Sequence, residues 1–287
     1  MYLIFSICAS TLIFVIFKVI GKRNINTLQT IVFNYFTAFT CGILSYDSPV
    51  IIEDIISSKW FFGAIGLGFL FIAIFNVMAL TAQRIGLSVA SVASKMSVVI
   101  PIIFGLFVYN ESLGWQKGIG IILALVAVYL ASQKEKTNTR FSIKSLWLPI
   151  MLFLGSGTID TSIKYLETTY VADNGIPIFS ATIFFIAGLI GIGLLSAKAI
   201  QKTFTFDPKS VVAGVILGIV NYYSIYMLLK ALNADNFESS TIFTVNNVAI
   251  VMLSTLLGLA LFKERLLPKN WIGIGVAILS ILLVTLA

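Results

Sequence analysis

Apolar stretches of about twenty residues follow one another along the whole chain, separated by short polar breaks, and this pattern leaves few folds open. A backbone inside lipid must satisfy its own hydrogen bonds, so only helices and closed barrels can span it. Barrel strands alternate apolar and polar residues. The runs here are continuous, and about twenty apolar residues make one helical crossing. A chain of 287 residues then has room for ten crossings with short links. Charged residues make up 11% of it, against about 25% in a soluble domain. The deficit extends along the full length and leaves no room for a sizeable soluble domain. The fold expected is an all-α membrane protein of ten transmembrane helices.

The apolar runs place the spans near 2–20, 27–46, 59–81, 88–109, 115–133, 146–165, 176–197, 208–232, 239–262 and 270–287. The first run has no basic region before it and no small-residue cleavage pattern after it, so it reads as a retained helix. Cys8 and Cys41 both lie in apolar runs and read as small buried hydrophobes. There is no histidine, which removes imidazole ligands, Ser-His pairs and histidine proton shuttles. No metal cluster, phosphate-cradling loop or ATP-binding segment is visible, so no cofactor is expected and any pumping must draw on a gradient.

Basic residues choose the orientation. Odd-numbered links hold thirteen of the nineteen lysines and arginines, among them Lys22, Arg23, Arg84, Lys198, Lys202, Lys263, Arg265 and Lys269. Positive residues favour the cytoplasmic side, which puts both termini outside. The net charge of +7 then belongs to a surface beside anionic lipid and not to nucleic-acid binding.

The two halves repeat each other. An offset of 153 pairs Gly105 with Gly258, Glu111 with Glu264, Gly120 with Gly273, Ala124 with Ala277 and Leu130 with Leu283. An offset of 146 pairs Ser10 with Ser156, Lys18 with Lys164 and Gly42 with Gly188, and Leu67-Gly68 matches Leu217-Gly218. The organisation expected is a five-helix repeat over 1–133, a cytoplasmic linker over 134–145 and a second repeat over 146–287. Five spans is an odd number, so the second repeat enters the membrane inverted. The link between spans 4 and 5 holds only Lys117, whereas its counterpart holds Lys263, Arg265 and Lys269. Inverted repeats are a recurring plan of secondary transporters, with the substrate site near the midplane.

Each repeat ends in the same way: a glycine-containing helix, an acid, a short link and a glycine-rich last helix. The first copy runs from Gly105 through Tyr109-Asn110-Glu111 to Gly118 and Gly120. The second runs from Gly258 through Phe262-Lys263-Glu264 to Gly273 and Gly275. In these features the chain resembles the drug/metabolite transporter superfamily, in the ten-helix group built from EamA domains. The resemblance implies a multi-pass protein of the inner (cytoplasmic) membrane that carries amino acids, nucleobases, sugars, drugs or other metabolites. In related four-helix exporters an acid in the first helix couples drug export to protons. Here that helix has no acid and carries Phe14 in mid-span, a departure from the cationic-drug pattern.

Ionisable groups at membrane depth are costly and functional by default. Ser88, Ser91 and Lys95 recur at i, i+3 and i+7, one helical face. Lys95 reads either as a contact for a substrate carboxylate or phosphate, or as a structural ion pair or snorkelling ammonium. Asp160, flanked by Ser156, Thr158 and Thr161, reads as a proton-coupling carboxylate, a partner for Lys95, or a fixed pair holding helices together. Lys18 and Lys164 read as snorkelling side chains, and Glu111 and Glu264 as capping or pairing groups. Asn76, Asn221, Tyr222, Tyr226, Thr244, Asn246 and Asn247 complete the candidate substrate contacts, with interhelical bonds and core packing as the bland alternatives. Pro101 frees a carbonyl one turn earlier.

The function expected is a secondary transporter that moves a small polar metabolite, an amino acid or related compound, by alternating access, with export the expected direction. Its partners would be that substrate, the bilayer and protons as a coupling ion; the sequence does not fix an oligomeric state. A membrane-embedded enzyme on lipid-linked substrates is disfavoured by the missing histidines and nucleophile-base pairs. A scaffold has no need of a lysine and an aspartate at membrane depth.

Overall fold

The computed structural model describes residues 1–46, 49–108, 114–131, 146–172, 175–232 and 239–285. All regular structure among these residues is helical: α1 (Tyr2–Lys22), α2 (Thr27–Leu44), α3 (Ile52–Ser57), α4 (Phe61–Arg84), α5 (Leu87–Met96), α6 (Val99–Val108), α7 (Trp115–Ala131), α8 (Trp147–Tyr170), α9 (Ile176–Ile200), α10 (Pro208–Leu232), α11 (Ser239–Phe262) and α12 (Pro268–Thr285). Six of them, α1, α2, α4, α9, α10 and α11, are long and apolar enough to cross a membrane. Shorter apolar helical stretches cover Leu87–Pro101, Gly118–Ala131 and Pro268–Leu283. Helix α8 has the length, at 24 residues, but Ser156, Thr158, Asp160, Thr161, Lys164 and Glu167 dilute its apolar character.

The fourth expected span is not one helix. It divides into α5 and α6 at Ser97-Val98. Pro101 has no N–H to give the carbonyl of Ser97, and that carbonyl accepts instead from the Ile100 N–H at 2.9 Å. Ile100 thereby abandons the carbonyl of Met96, its ordinary partner in an α-helix. The short helix α3, outside the expected spans, has Ile52 and Ile56 exposed and Glu53 and Asp54 in its first turn.

The described chain forms two compact units. One comprises 1–18, 77–158 and 223–287; the other 19–76 and 159–222. In the first, Val92, Met96, Val99, Ala124, Ala127, Phe153, Val251, Ile274, Ala277 and Ile281 form a buried core. Helices α7 and α12 run antiparallel along it. A side chain on Gly273 would meet the Ala131 nitrogen at 2.5 Å, and the Ser280 hydroxyl donates to the Gly120 carbonyl at 2.7 Å. Asn270 closes the end of α7 by donating to the carbonyls of Leu130 and Ala131 at 3.1 and 2.8 Å.

In the second unit α2 and α9 run antiparallel by the same device. Gly42 lies against Ala181, Gly188 against Phe36 and Gly191 against Val32. Lipid tails are as apolar as leucine, so helices in a membrane associate through close packing, which small residues permit. Gly214 and Gly218 of α10 do this against α2: a Cβ on Gly218 would lie 2.6 Å from the Asn34 carbonyl oxygen. Tyr35 stands at the centre of the unit among Phe71, Phe75 and Phe184, with ring centroids 5.5–6.5 Å away.

Candidate functional site

The polar face of α5 is buried. Ser88, Ser91 and Ser97 are almost wholly enclosed, and Lys95 is half-buried one turn beyond Ser91. The hydroxyl of Ser254 on α11 donates to that of Ser91 at 2.6 Å. Gly258, one turn further along α11, approaches the Ser88 hydroxyl. Residue numbers rise on α11 as they fall on α5, so the two helices are antiparallel. Asn247, Val251, Ser254 and Gly258 recur at i, i+4, i+7 and i+11, one face of α11. Continuing this register brings Asn247 level with the Ser97-Val98 interruption. Asn247 is 7% exposed, and neither of its amide atoms has a hydrogen bond among the described residues.

Asn246 turns to a different neighbour. Its side-chain oxygen accepts from the Ser6 hydroxyl at 3.4 Å, which also points to the Ser224 carbonyl at 2.8 Å. Tyr226 lies edge-on to Tyr223 and carries the Lys230 ammonium 4.8 Å from its ring centre, a cation–π arrangement. The Tyr2 ring lies 5.8 Å from the same ammonium. All of these groups belong to the first unit.

Four expected site residues belong to the second unit. The Asn76 amide donates to the Ile72 carbonyl of its own helix at 2.7 Å. Asn221 is buried and donates to the Asn34 side-chain oxygen at 3.3 Å, and Tyr222 is buried beside it. Asp160 lies within α8 with its side chain exposed, as are Thr158, Lys164 and Thr168 of the same helix. A carboxylate is costly against lipid, so this face of α8 requires water or polar partners. The side chain of Thr244 lies outside the described residues, as do Glu111 and the linker 134–145.

Lys18 is held in an ion pair. Its ammonium pairs with the Glu264 carboxylate at 3.1 Å, the two side chains being 16% and 10% exposed. The same carboxylate accepts from the backbone N–H of Leu87 at 2.7 Å and from the Ser88 N–H and hydroxyl at 3.5 and 3.2 Å. It therefore caps α5 from the link between α11 and α12, satisfying N–H groups that a helix start leaves open. Ser6, Ser224 and Ser254 are partners that reading the apolar runs missed. Isolated serines in such runs carry little signal, although the seven-residue spacing of Ser254 from Asn247 marks a shared face.

Residues 1–133 match the model of the EamA-like transporter family. An uncharacterized protein of Haemophilus influenzae (strain ATCC 51907 / DSM 11121 / KW20 / Rd) is 28% identical over 280 residues, 95% of this chain and 93% of the relative. A protein of known crystal structure aligns with a TM-score of 0.57 at 13% identity, over 99% of this chain and 95% of that one; this likeness is one of fold. The polar faces described above thus sit in a multi-pass membrane protein whose residues 1–133 are similar to the EamA-like transporter family.

Proposed function

We propose that the chain is a secondary transporter of a small polar metabolite, working by alternating access between two inverted five-helix repeats. The observation that carries this reading is the enclosed polar face of α5, with Ser91 held to Ser254 and Lys95 one turn on, beside an interrupted helix. Burying hydroxyls and an ammonium at membrane depth is costly without a task. Interrupted helices offer backbone groups to a bound solute where continuous ones do not. Supporting the duplication, α2 packs on α9 and α7 on α12, each helix meeting its own repeat equivalent in antiparallel fashion. The contact of Gly42 with Ala181 has a near counterpart, one residue out of register, in that of Gly188 with Phe36.

Lys95, Ser91 and Asn247 form the substrate-binding group in this reading, with Asn246 and Tyr226 on the same unit. Asn76, Asn221, Tyr222 and Thr244 are the further contacts, and Asp160 is the coupling carboxylate. The ammonium of Lys95 suits a carboxylate or phosphate, and an amino acid carries such a carboxylate. The basic links face the cytoplasm, both termini face outward, and the protein exports its substrate from the cytoplasmic membrane. The test is flux through reconstituted protein with a panel of amino acids, nucleosides, sugars and organic phosphates. One anionic or zwitterionic class should move, and Lys95→Ala should abolish its movement while Lys22→Ala does not. No flux of any class, or flux indifferent to Lys95, rejects the assignment.

A further inference from the structure

We propose that Glu264 is the latch of the cytoplasmic gate: its carboxylate ties the second repeat to the first in the closed state and must release Lys18 and the start of α5 for that face to open. The proposal rests on the transporter reading above and adds to it a named gating contact.

Glu264 belongs to the second repeat, and its carboxylate's partners Lys18, Leu87 and Ser88 belong to the first. Lys18 lies near the end of α1, and Leu87 and Ser88 open α5. The carboxylate is held from both sides. Its own N–H donates to the Gly258 carbonyl at 3.1 Å, which fixes the stalk, and its oxygens collect one ammonium, two amides and one hydroxyl. Gly86, at φ 156, and Gly258 close over it with no side chains, a Cβ at either place falling 2.7–3.1 Å from a carboxylate oxygen.

Such a contact suits a gate better than a permanent joint. Apolar interdigitation resists separation, whereas here every partner is a polar group that water can replace once the face opens. The α7–α12 and α2–α9 seams show the other style, with glycines pressed onto neighbouring backbone and side chains. Lys263, Arg265 and Lys269 flank Glu264 on the basic face, so the latch lies at the cytoplasmic mouth. The sequence repeats its charged pair at the opposite face as Lys164 and Glu111; Glu111 lies outside the described residues, and the latch at Glu264 stands without it.

The experiment uses full-length protein in membrane vesicles, with Cys8→Ser and Cys41→Ser and a single reporter, Ser254→Cys, on the buried face one turn from Gly258. A membrane-impermeant maleimide is applied from the basic face and, separately, from the other. Glu264→Gln should raise the labelling rate from the basic face about tenfold and leave the opposite face unchanged or slower. Lys18→Met should act in the same direction, and Ser88→Ala, which deletes only one hydroxyl, more weakly. The exchanged pair Lys18→Glu with Glu264→Lys should recover part of the closed-state protection. Monodisperse elution of each variant separates gating from unfolding, and Ser88→Ala serves where Glu264→Gln does not assemble. Unchanged labelling in folded Glu264→Gln or folded Ser88→Ala overturns the latch, even where flux shows that the chain transports. Altered one-sided labelling with no flux of any solute upholds the latch and rejects the transporter reading instead.

Discussion

Asp207 and Asn26 cap two helices and each other: the Asp207 carboxylate accepts from the Asn26 backbone N–H at 3.0 Å, while Asn26 caps α2 by accepting from Gln29 at 3.1 Å. Asp207 in turn caps α10, accepting from the Lys209 N–H at 3.1 Å and the Ser210 hydroxyl at 3.1 Å. Gln29 completes the exchange by donating to the Thr205 carbonyl and accepting from the Asp207 N–H. Two links far apart in sequence are thereby joined through helix starts, where carboxylates are favoured.

This joint predicts a pH dependence. The Asn26 N–H is the largest influence holding the Asp207 carboxyl below its ordinary range, helped by Lys209 and Ser210 and opposed by desolvation. A carboxyl lowered in the folded state adds stability above its unfolded pKa and loses it as pH falls through the folded value. The wild type should therefore melt above Asp207→Asn at neutral pH, and the gap should close on acidification below the ordinary carboxylate range. Thermal melts of both proteins in detergent across that range check it; a gap constant with pH removes the charge from the account.

Helix contact at Gly218 leaves no slack. An alanine there would place its Cβ 2.6 Å from the Asn34 carbonyl oxygen and 2.6 Å from the Thr37 Cβ, and backbone cannot swing aside. Gly218→Ala should destabilise by about 1–3 kcal/mol, as overpacking does. Gly66 has nothing within 4 Å of its would-be Cβ, so Gly66→Ala should be neutral or gain up to about 1 kcal/mol from helix propensity. Denaturant unfolding in mixed micelles compares the pair, and equal effects would show that the α2–α10 approach is looser than described.

Tyr35 gives the opposite kind of test. Its hydroxyl is buried without a hydrogen-bond partner among the described residues, while its ring packs against three phenylalanines. An unmet buried polar group costs on the order of 1–3 kcal/mol. Tyr35→Phe keeps the ring and removes the cost, so the melting temperature should rise or hold. A fall would reveal a water or solute bonded to the phenol.

The sequence makes the helices legible because lipid leaves an apolar run little else to become. It also shows where α5 must yield, since Pro101 withdraws an N–H from a named carbonyl. The direction of a polar side chain is less legible. Asp160 and Asn247 both lie in helical runs, yet one is exposed and the other enclosed, and helical phase decides this only once the neighbours are known. The partners of Glu264 were beyond reach for a different reason. An acid beside a helix end announces a capping or pairing role, but Leu87 and Ser88 stand 177 and 176 positions away, and no local pattern links them.

Pro101 tests whether the interruption serves transport or only packing. With alanine at 101 the chain regains an N–H for the Ser97 carbonyl, Ile100 can return to Met96, and α5 and α6 can fuse into one helix. An interior proline costs a helix about 3 kcal/mol relative to alanine, so Pro101→Ala should raise thermal stability if the break is a local defect. If the break supplies backbone groups to the substrate beside Lys95 and Asn247, the same change should lower flux at least tenfold while the protein melts at an equal or higher temperature. The two readouts separate the cases: higher stability with full flux makes the interruption incidental, and lost flux in a sturdier protein places the substrate at the gap between α5 and α6. Lower stability would mean that Gly157, which packs on Ile100, holds the start of α6 in a position that a continuous helix cannot reach.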